Sequence, residues 1–344
     1  MHRRAEKGFT DLLDVDDVEQ LLALLARRPH FRLVKDGATL PIDSYTTTAR
    51  VGGATIDGVA DVDRMVELVA DGATVVLQGL QRTWLPLADF CDQLQAEISH
   101  PVQANAYLSP RQAAALARHT DTHAVFALQV AGRKRWTVEG LDEVVMEPGD
   151  VLYLPAGTAH DARSLDVFSL HLTIGVLAVT WRDVVRRVLA DGPDDLDAPL
   201  PLGYADRPEQ LARALSATFD AVGRHLATVD VAAVATGEAV RAERARRSMP
   251  SGRLRATLDP ASIADGTRLA RRMDAELIDR QHDGVAVQFA GRRLALPAAA
   301  RPALAAILQS DELAVADLPG LDEPSRAVLA RRLIREGLLR PVAE

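Results

Sequence analysis

A His-x-Asp triplet, His119-Thr120-Asp121, is followed downstream by Gly149-Asp150-Val151-Leu152-Tyr153-Leu154-Pro155-Ala156-Gly157 and then by His160. This pairing restricts the fold more than any other feature of the chain. In an extended strand successive side chains alternate between faces, so His119 and Asp121 point the same way. A second strand, 151 to 154, lies between the turn signals Pro148-Gly149 and Pro155-Ala156-Gly157 and delivers His160. Two imidazoles and one carboxylate on one side, with the other side open, match the 2-His-1-carboxylate pattern of non-haem Fe(II) sites. A His-x-Asp triplet alone occurs by chance; its combination with the punctuated second strand carries the reading. The chain is expected to bring short strands together as a small β-barrel.

The other candidate strands agree. Residues 103–108, 124–130, 134–139, 151–154 and 167–174 have strand composition and are joined by short Gly- or Pro-containing connections. Ala131-Gly132-Arg133 reads as the turn of a hairpin between 124–130 and 134–139. Several short antiparallel strands with such turns indicate a jelly-roll barrel. Before them, 16–27, 62–71 and 85–99 carry helical patterns, with a strand at 73–77; Asp16 and Asp17 serve the first helix's N-terminus, and its apolar face includes Leu25.

Beyond Gly175 the pattern becomes helical. Trp181, Val184, Val185, Val188 and Leu189 repeat at three and four, as do Leu211, Leu215, Phe219, Val222 and Leu226. The stripes read as the core of a helical subdomain, with a dimer interface as the alternative. Residues 241–255 hold six arginines and one acid, a run that reads as a solvated helix end and linker. Val285, Val287 and Phe289 alternate as a strand; helices follow at 301–309 and at 323–336, the latter stopped by Gly337. That order resembles a winged helix. From Arg292 to Glu344 eight Arg face seven Asp or Glu, too little surplus for a DNA-reading module.

At 344 residues the chain has room for two or three domains. A net charge of −8 gives no global pull toward nucleic acid or anionic membrane, so direct nucleic-acid binding is not expected. The single cysteine, Cys91, excludes an intramolecular disulfide, and no apolar run is long enough to span a bilayer; both fit a cytoplasmic protein. The basic start, Met1 to Lys7, lacks the apolar core of a signal peptide.

Asn105-Ala106-Tyr107-Leu108, His119-Thr120-Asp121, Phe126 to Trp136, Gly149 to Gly157 and Ser169-Leu170-His171-Leu172-Thr173 resemble the JmjC-domain oxygenases of the ribosomal-oxygenase type, members of the cupin superfamily. The resemblance covers about 70 to 175 and extends to the order of domains. It implies an α+β fold: a double-stranded β-helix barrel with its covering helices (1–177), a helical, dimerising domain (178–265) and a winged-helix-like domain (266–344).

It also implies roles. His119, Asp121 and His160 fall on the iron ligands, and Lys134 on the cation that holds the distal carboxylate of 2-oxoglutarate. Alternation independently groups Lys134 with Trp136 and Val138, and a lysine on an apolar face needs an anionic partner. Asn105, Tyr107 and Ser169 match positions that bind the imidazole when the substrate is histidine, and an amide, a phenol and a hydroxyl can satisfy both ring nitrogens. His123 and His171 are expected to support the site without ligating. The sequence departs from the family at Thr120, at Ala124 and in the approach 111–118, which reads as helical; these changes bear on the substrate more than the chemistry. The expectation is a Fe(II)- and 2-oxoglutarate-dependent dioxygenase, a homodimer, hydroxylating a histidyl residue of a ribosomal protein. The alternatives are a hydroxylase of another residue in a biosynthetic peptide precursor, and a non-catalytic cupin or winged-helix sensor.

Overall fold

The computed structural model describes all residues except 1, 4–7, 25, 26, 115, 142, 247–251, 281–283, 290, 343 and 344. Leu25, Ala115, Met1 and Arg4 to Lys7, together with Arg247 to Pro250 of the basic run, therefore lie outside the described residues. The chain divides into two compact units, 1–179 and 180–344.

In the first unit the strands are β1 (His2–Arg3), β2 (Phe31–Lys35), β3 (Ala38–Thr39), β4 (Thr46–Val51), β5 (Ala54–Ala60), β6 (Thr74–Leu77), β7 (Val102–Ser109), β8 (Ala124–Val138), β9 (Val144–Met146), β10 (Asp150–Leu154) and β11 (His160–Val176). Its helices are α1 (Val15–Leu24), α2 (Val62–Ala70) and α3 (Leu85–Ile98). β4 and β5 pair separately. The other nine strands form one sheet in the order β1-β10-β8-β11-β7-β6-β2-β3, with β9 on β8, and every pairing is antiparallel.

Strand β7 shows how the sheet acquires two chemistries. Val102, Ala104, Ala106 and Leu108 alternate toward the helices, joining Phe31, Leu33, Val75 and Leu77 against Val18, Leu21, Met65, Leu87 and Cys91. Each of the larger apolar side chains buried here contributes about 1.5–3 kcal/mol. The intervening Gln103, Asn105 and Tyr107 point the other way, into a cavity. Because β2, β7, β8, β10 and β11 all line that one cavity, the sheet curls around it. A second apolar cluster, with Trp136, Val138, Met146, Leu152 and Leu154, packs below it.

Two expectations change. The residues read as a hairpin, 124–130 and 134–139, form the single strand β8 and do not pair with each other. Gly132 is the reason. It adopts φ +63°, and a Cβ there would lie 1.7 Å from the Phe168 carbonyl oxygen. The glycine thus lets β11 cross close to β8 at a register shift rather than turning the chain back. The approach at 111–118 is not helical either. Gln112 donates to Leu165 O, Ser164 donates its backbone N–H to Ala113 O, and Ala114, Leu116 and His119 make isolated bridges to Arg163, Gly37 and His160. Cross-chain pairing of this kind overrides the helical propensity of an alanine-rich segment.

The second unit begins with α4 (Trp181–Ala190), α5 (Pro208–Thr228) and α6 (Val231–Ala245), none of which has a buried residue. It continues with α7 (Arg253–Leu258), β12 (Arg268–Arg271), β13 (Glu276–Arg280), β14 (Gly284–Phe289), β15 (Arg292–Pro297), α8 (Arg301–Gln309), β16 (Glu312–Ala314), α9 (Glu323–Glu336) and β17 (Leu339–Pro341). β16-β12-β17 and β13-β14-β15 are two three-stranded antiparallel sheets. Val285, Val287, Leu304, Ile307, Leu333 and Ile334 build their shared core. Asp322 caps α9, which Gly337 ends in the left-handed conformation. Among the described arginines of the basic run, Arg241 pairs with Glu238, Arg246 with Glu243, and Arg244 and Arg253 donate to Gly291 O and Arg335 O.

Candidate metal centre

His119 and His160 are brought together by backbone pairing: each donates its N–H to the other's carbonyl, at 3.0 and 2.9 Å. His119-Thr120-Asp121 is not a regular strand but an extended stretch held at this bridge. Gly157, at φ +80°, donates to Asp121 O at 2.8 Å, so the turn after β10 fixes the third residue. Ligand atoms of His119, Asp121 and His160 then lie within 4.8 Å of one another.

The imidazoles are oriented from behind. His119 Nδ1 lies 2.8 Å from Ala117 O and His160 Nδ1 3.0 Å from Thr158 O. A carbonyl only accepts, so each Nδ1 carries a proton and Nε2 is the nitrogen available to a metal. Two imidazoles and one carboxylate are a donor set that fits a divalent cation.

Above these residues is a cavity of about 460 Å³. Asn105, Tyr107, Gln78, Gln103, Thr173, Arg32 and His123 line it, and Leu116, Ala117 and Arg118 of the approach form its edge. Asn105 accepts from Gly79 N at 3.0 Å through Oδ1. Burial raises the Tyr107 phenol above its ordinary pKa; Arg32 pulls it down, Asp121 raises it and the Thr173 side chain lowers it.

Lys134 is fully buried on β8. Its Nζ donates to Ser109 Oγ at 3.1 Å and meets His171 Nδ1 at 3.5 Å, with no carboxylate partner among the described residues. Burial lowers its pKa to about 7. His171, pushed well below its usual value by burial and then by Lys134, stacks on Tyr107 with centroids 4.8 Å apart and meets the edge of Trp136. A buried cation without an anion fits a ligand carboxylate.

Five of the seven candidate residues, His119, Asp121, His160, Asn105 and Tyr107, thus line one cavity, while Lys134 is fully buried and reaches Tyr107 only through His171. Ser169 is placed differently: it is fully buried, accepts from Gln129 Nε2 at 2.9 Å and does not line the cavity. The sequence reading missed Arg32, Gln78, Gln103 and Thr173. Gln103 and Thr173 share their strands' inward alternation with Tyr107 and His171, a signal that was present; Arg32 lies on β2, a strand the periodicity did not single out.

A sheet curled around two histidines, a carboxylate and a buried cation has the donor set of a divalent-metal site. Residues 81–142 and 138–184 match the JmjC domain model. The bifunctional lysine-specific demethylase and histidyl-hydroxylase NO66 of Branchiostoma floridae is 38 % identical over 103 residues, 29 % of this chain and 17 % of that protein. Ribosomal oxygenase 1 of Bos taurus is 33 % identical over 126 residues, 29 % of this chain and 19 % of that protein. The chain therefore spans about a fifth of the length of these curated relatives. Two crystal structures of Escherichia coli YcfD, both 18 % identical, share the fold: one with TM-score 0.53 over 99 % of this chain and 94 % of that one. The other, a ribosomal oxygenase in complex with cobalt and 2-oxoglutarate, has TM-score 0.50 over 96 % and 91 %. Residues 81–184 thus resemble a JmjC domain, and the α+β fold of the chain is that of YcfD. JmjC oxygenases use Fe(II) and 2-oxoglutarate.

Proposed function

We propose that this protein is a Fe(II)- and 2-oxoglutarate-dependent hydroxylase of a protein side chain, and that its target is a histidyl residue of a ribosomal protein. The observation that carries this is the pair of Nδ1 tethers, which turn two imidazoles beside Asp121 into an amide- and phenol-lined cavity. Bound Fe(II), with 2-oxoglutarate as reductant, supplies the O₂ activation that places one oxygen atom in a substrate C–H bond and leaves succinate and CO₂.

The protein's part is binding and orientation. His119, Asp121 and His160 would hold the metal beside the cavity. Lys134, with Ser109 beside it, offers the charge for the distal carboxylate of 2-oxoglutarate. Asn105 and Tyr107 supply an amide and a phenol for the target imidazole, and Leu116 and Ala117 add apolar lining beside them. The histidyl-hydroxylase name of the NO66 relative supports the substrate assignment.

Three further parts belong to this reading. Residues 178–265 form a homodimerising helical domain, since α4–α6 leave Trp181, Phe219 and Val231 exposed and bury nothing within the chain. Residues 266–344 are a winged-helix module for protein contacts. The protein works in the cytoplasm. The test is incubation of the purified protein with Fe(II), 2-oxoglutarate and ribosomal proteins from cells lacking it, followed by peptide mass spectrometry. One added oxygen on a histidine, absent with His160→Ala, is expected; no modified peptide would contradict the assignment.

A further inference from the structure

The charge around the cavity does not balance. Asp121 and a doubly charged 2-oxoglutarate together offset a divalent metal and the Lys134 ammonium. Arg118 is matched by Asp161 at 3.3 Å. Arg32 is left over. Its Nη1 donates only to the Thr39 hydroxyl, at 3.3 Å, and its Nε is buried with no hydrogen-bond partner. No carboxylate pairs with it among the described residues.

Strand register explains where this charge falls. Arg32 is opposite Val76 on β6, and Val76 is opposite Tyr107 on β7, so the three residues form one row across adjacent strands. Partners in an antiparallel pair point to the same face, and Arg32 and Tyr107 both line the cavity. The Nη1 end of the side chain is held by Thr39 on β3, the other neighbour of β2, while the residue still lines the cavity. A guanidinium without a carboxylate partner, on a residue that lines a polar cavity, is suited to a planar carboxylate.

We infer that Arg32 is a substrate-selecting residue, and that the peptide this cavity accepts carries a carboxylate, from an acidic residue next to the hydroxylated one, which pairs with the Arg32 guanidinium. This deepens the hydroxylase reading and rests on it. It adds a charge requirement to the imidazole contacts of Asn105 and Tyr107.

Binding can be tested without turnover, using protein loaded with Mn(II) and the inert 2-oxoglutarate analogue N-oxalylglycine. The probes are fluorescein-labelled decapeptides with a central histidine flanked on either side by Asp, Asn or Lys, measured by fluorescence anisotropy. The Asp-flanked peptides are expected to bind about tenfold more tightly than the Asn-flanked ones. Arg32→Gln should abolish that difference, and Arg32→Lys, which keeps the charge, should retain part of it. Equal binding of the Asp and Asn peptides by the parent, or a preference that survives Arg32→Gln, overturns the inference. A loss of 2-oxoglutarate affinity in Arg32→Gln without peptide also overturns it, by assigning Arg32 to the cosubstrate. Failure of the parent to bind 2-oxoglutarate at all would instead contradict the hydroxylase reading.

Discussion

His119 and His160 face each other across an isolated antiparallel bridge, their ring centroids 4.5 Å apart and their backbone N–H groups exchanged. The spacing of the two imidazoles is thus set by main-chain hydrogen bonds. Removing one imidazole should therefore remove metal binding while the bridge and the fold remain. With anaerobic Fe(II) at about a hundred times its dissociation constant, the parent should gain about 2.7 kcal/mol of stability. His160→Ala should melt as a single folded species and gain almost nothing, as read by thermal unfolding with and without metal.

Lys134 exchanges stability for ligand binding. Its pKa falls from 10.5 in water to about 7 when buried. Between those values the unfolded chain holds a proton that the folded one does not, so Lys134's contribution to stability rises with pH across this window and is most unfavourable below pH 7. Lys134→Met should be more stable than the parent at pH 7, by on the order of a few kcal/mol, with the gap closing toward pH 10. The same variant should lose 2-oxoglutarate affinity. Urea titrations of both proteins at the two pH values, with a binding titration at pH 7, check both halves.

Gly132 has no room for a side chain. Its φ is +63° and a Cβ would meet backbone oxygen and carbon of Phe168 at 1.7 and 2.8 Å. Gly132→Ala should destabilise the first unit by more than about 3 kcal/mol, because the crossing strands β8 and β11 must separate. Chemical unfolding monitored by tryptophan fluorescence would show it; a loss under 1 kcal/mol would mean that the strands can shift apart.

Phe219 is 68 % exposed on α5, a helix of 21 residues that buries none of them within the chain. Phe219→Asp should convert a dimer to a monomer in sedimentation equilibrium while leaving the far-ultraviolet circular dichroism unchanged. Monomeric parent protein would contradict the proposed helical interface.

The sequence made the grouping of His119, Asp121 and His160 legible because the His-x-Asp triplet and the Gly/Pro-punctuated strand before His160 are local patterns, and the three side chains lie together in the structure. What it concealed depends on contacts between segments distant in sequence. Gly132 looks like a turn because nothing local records that Phe168 passes over it. Alanines at 113, 114 and 117 look helical because their pairing partners, near Ser164 and Gly37, lie far along the chain. Ser169 shares its strand face with His171, but Gln129 takes its hydroxyl before it reaches the cavity. Arg32 went unnoticed because a single arginine in a short strand has no periodicity to mark it.

The most direct test of the central claim is anaerobic titration of metal-free protein with Fe(II) and 2-oxoglutarate, following the visible metal-to-ligand charge-transfer absorption. The account requires a band in the parent, none in His160→Ala, and in Lys134→Ala a band that needs at least tenfold more 2-oxoglutarate. Absence of the band in the parent, or an undiminished band in His160→Ala, would contradict the assignment of His119, Asp121 and His160 as an iron centre.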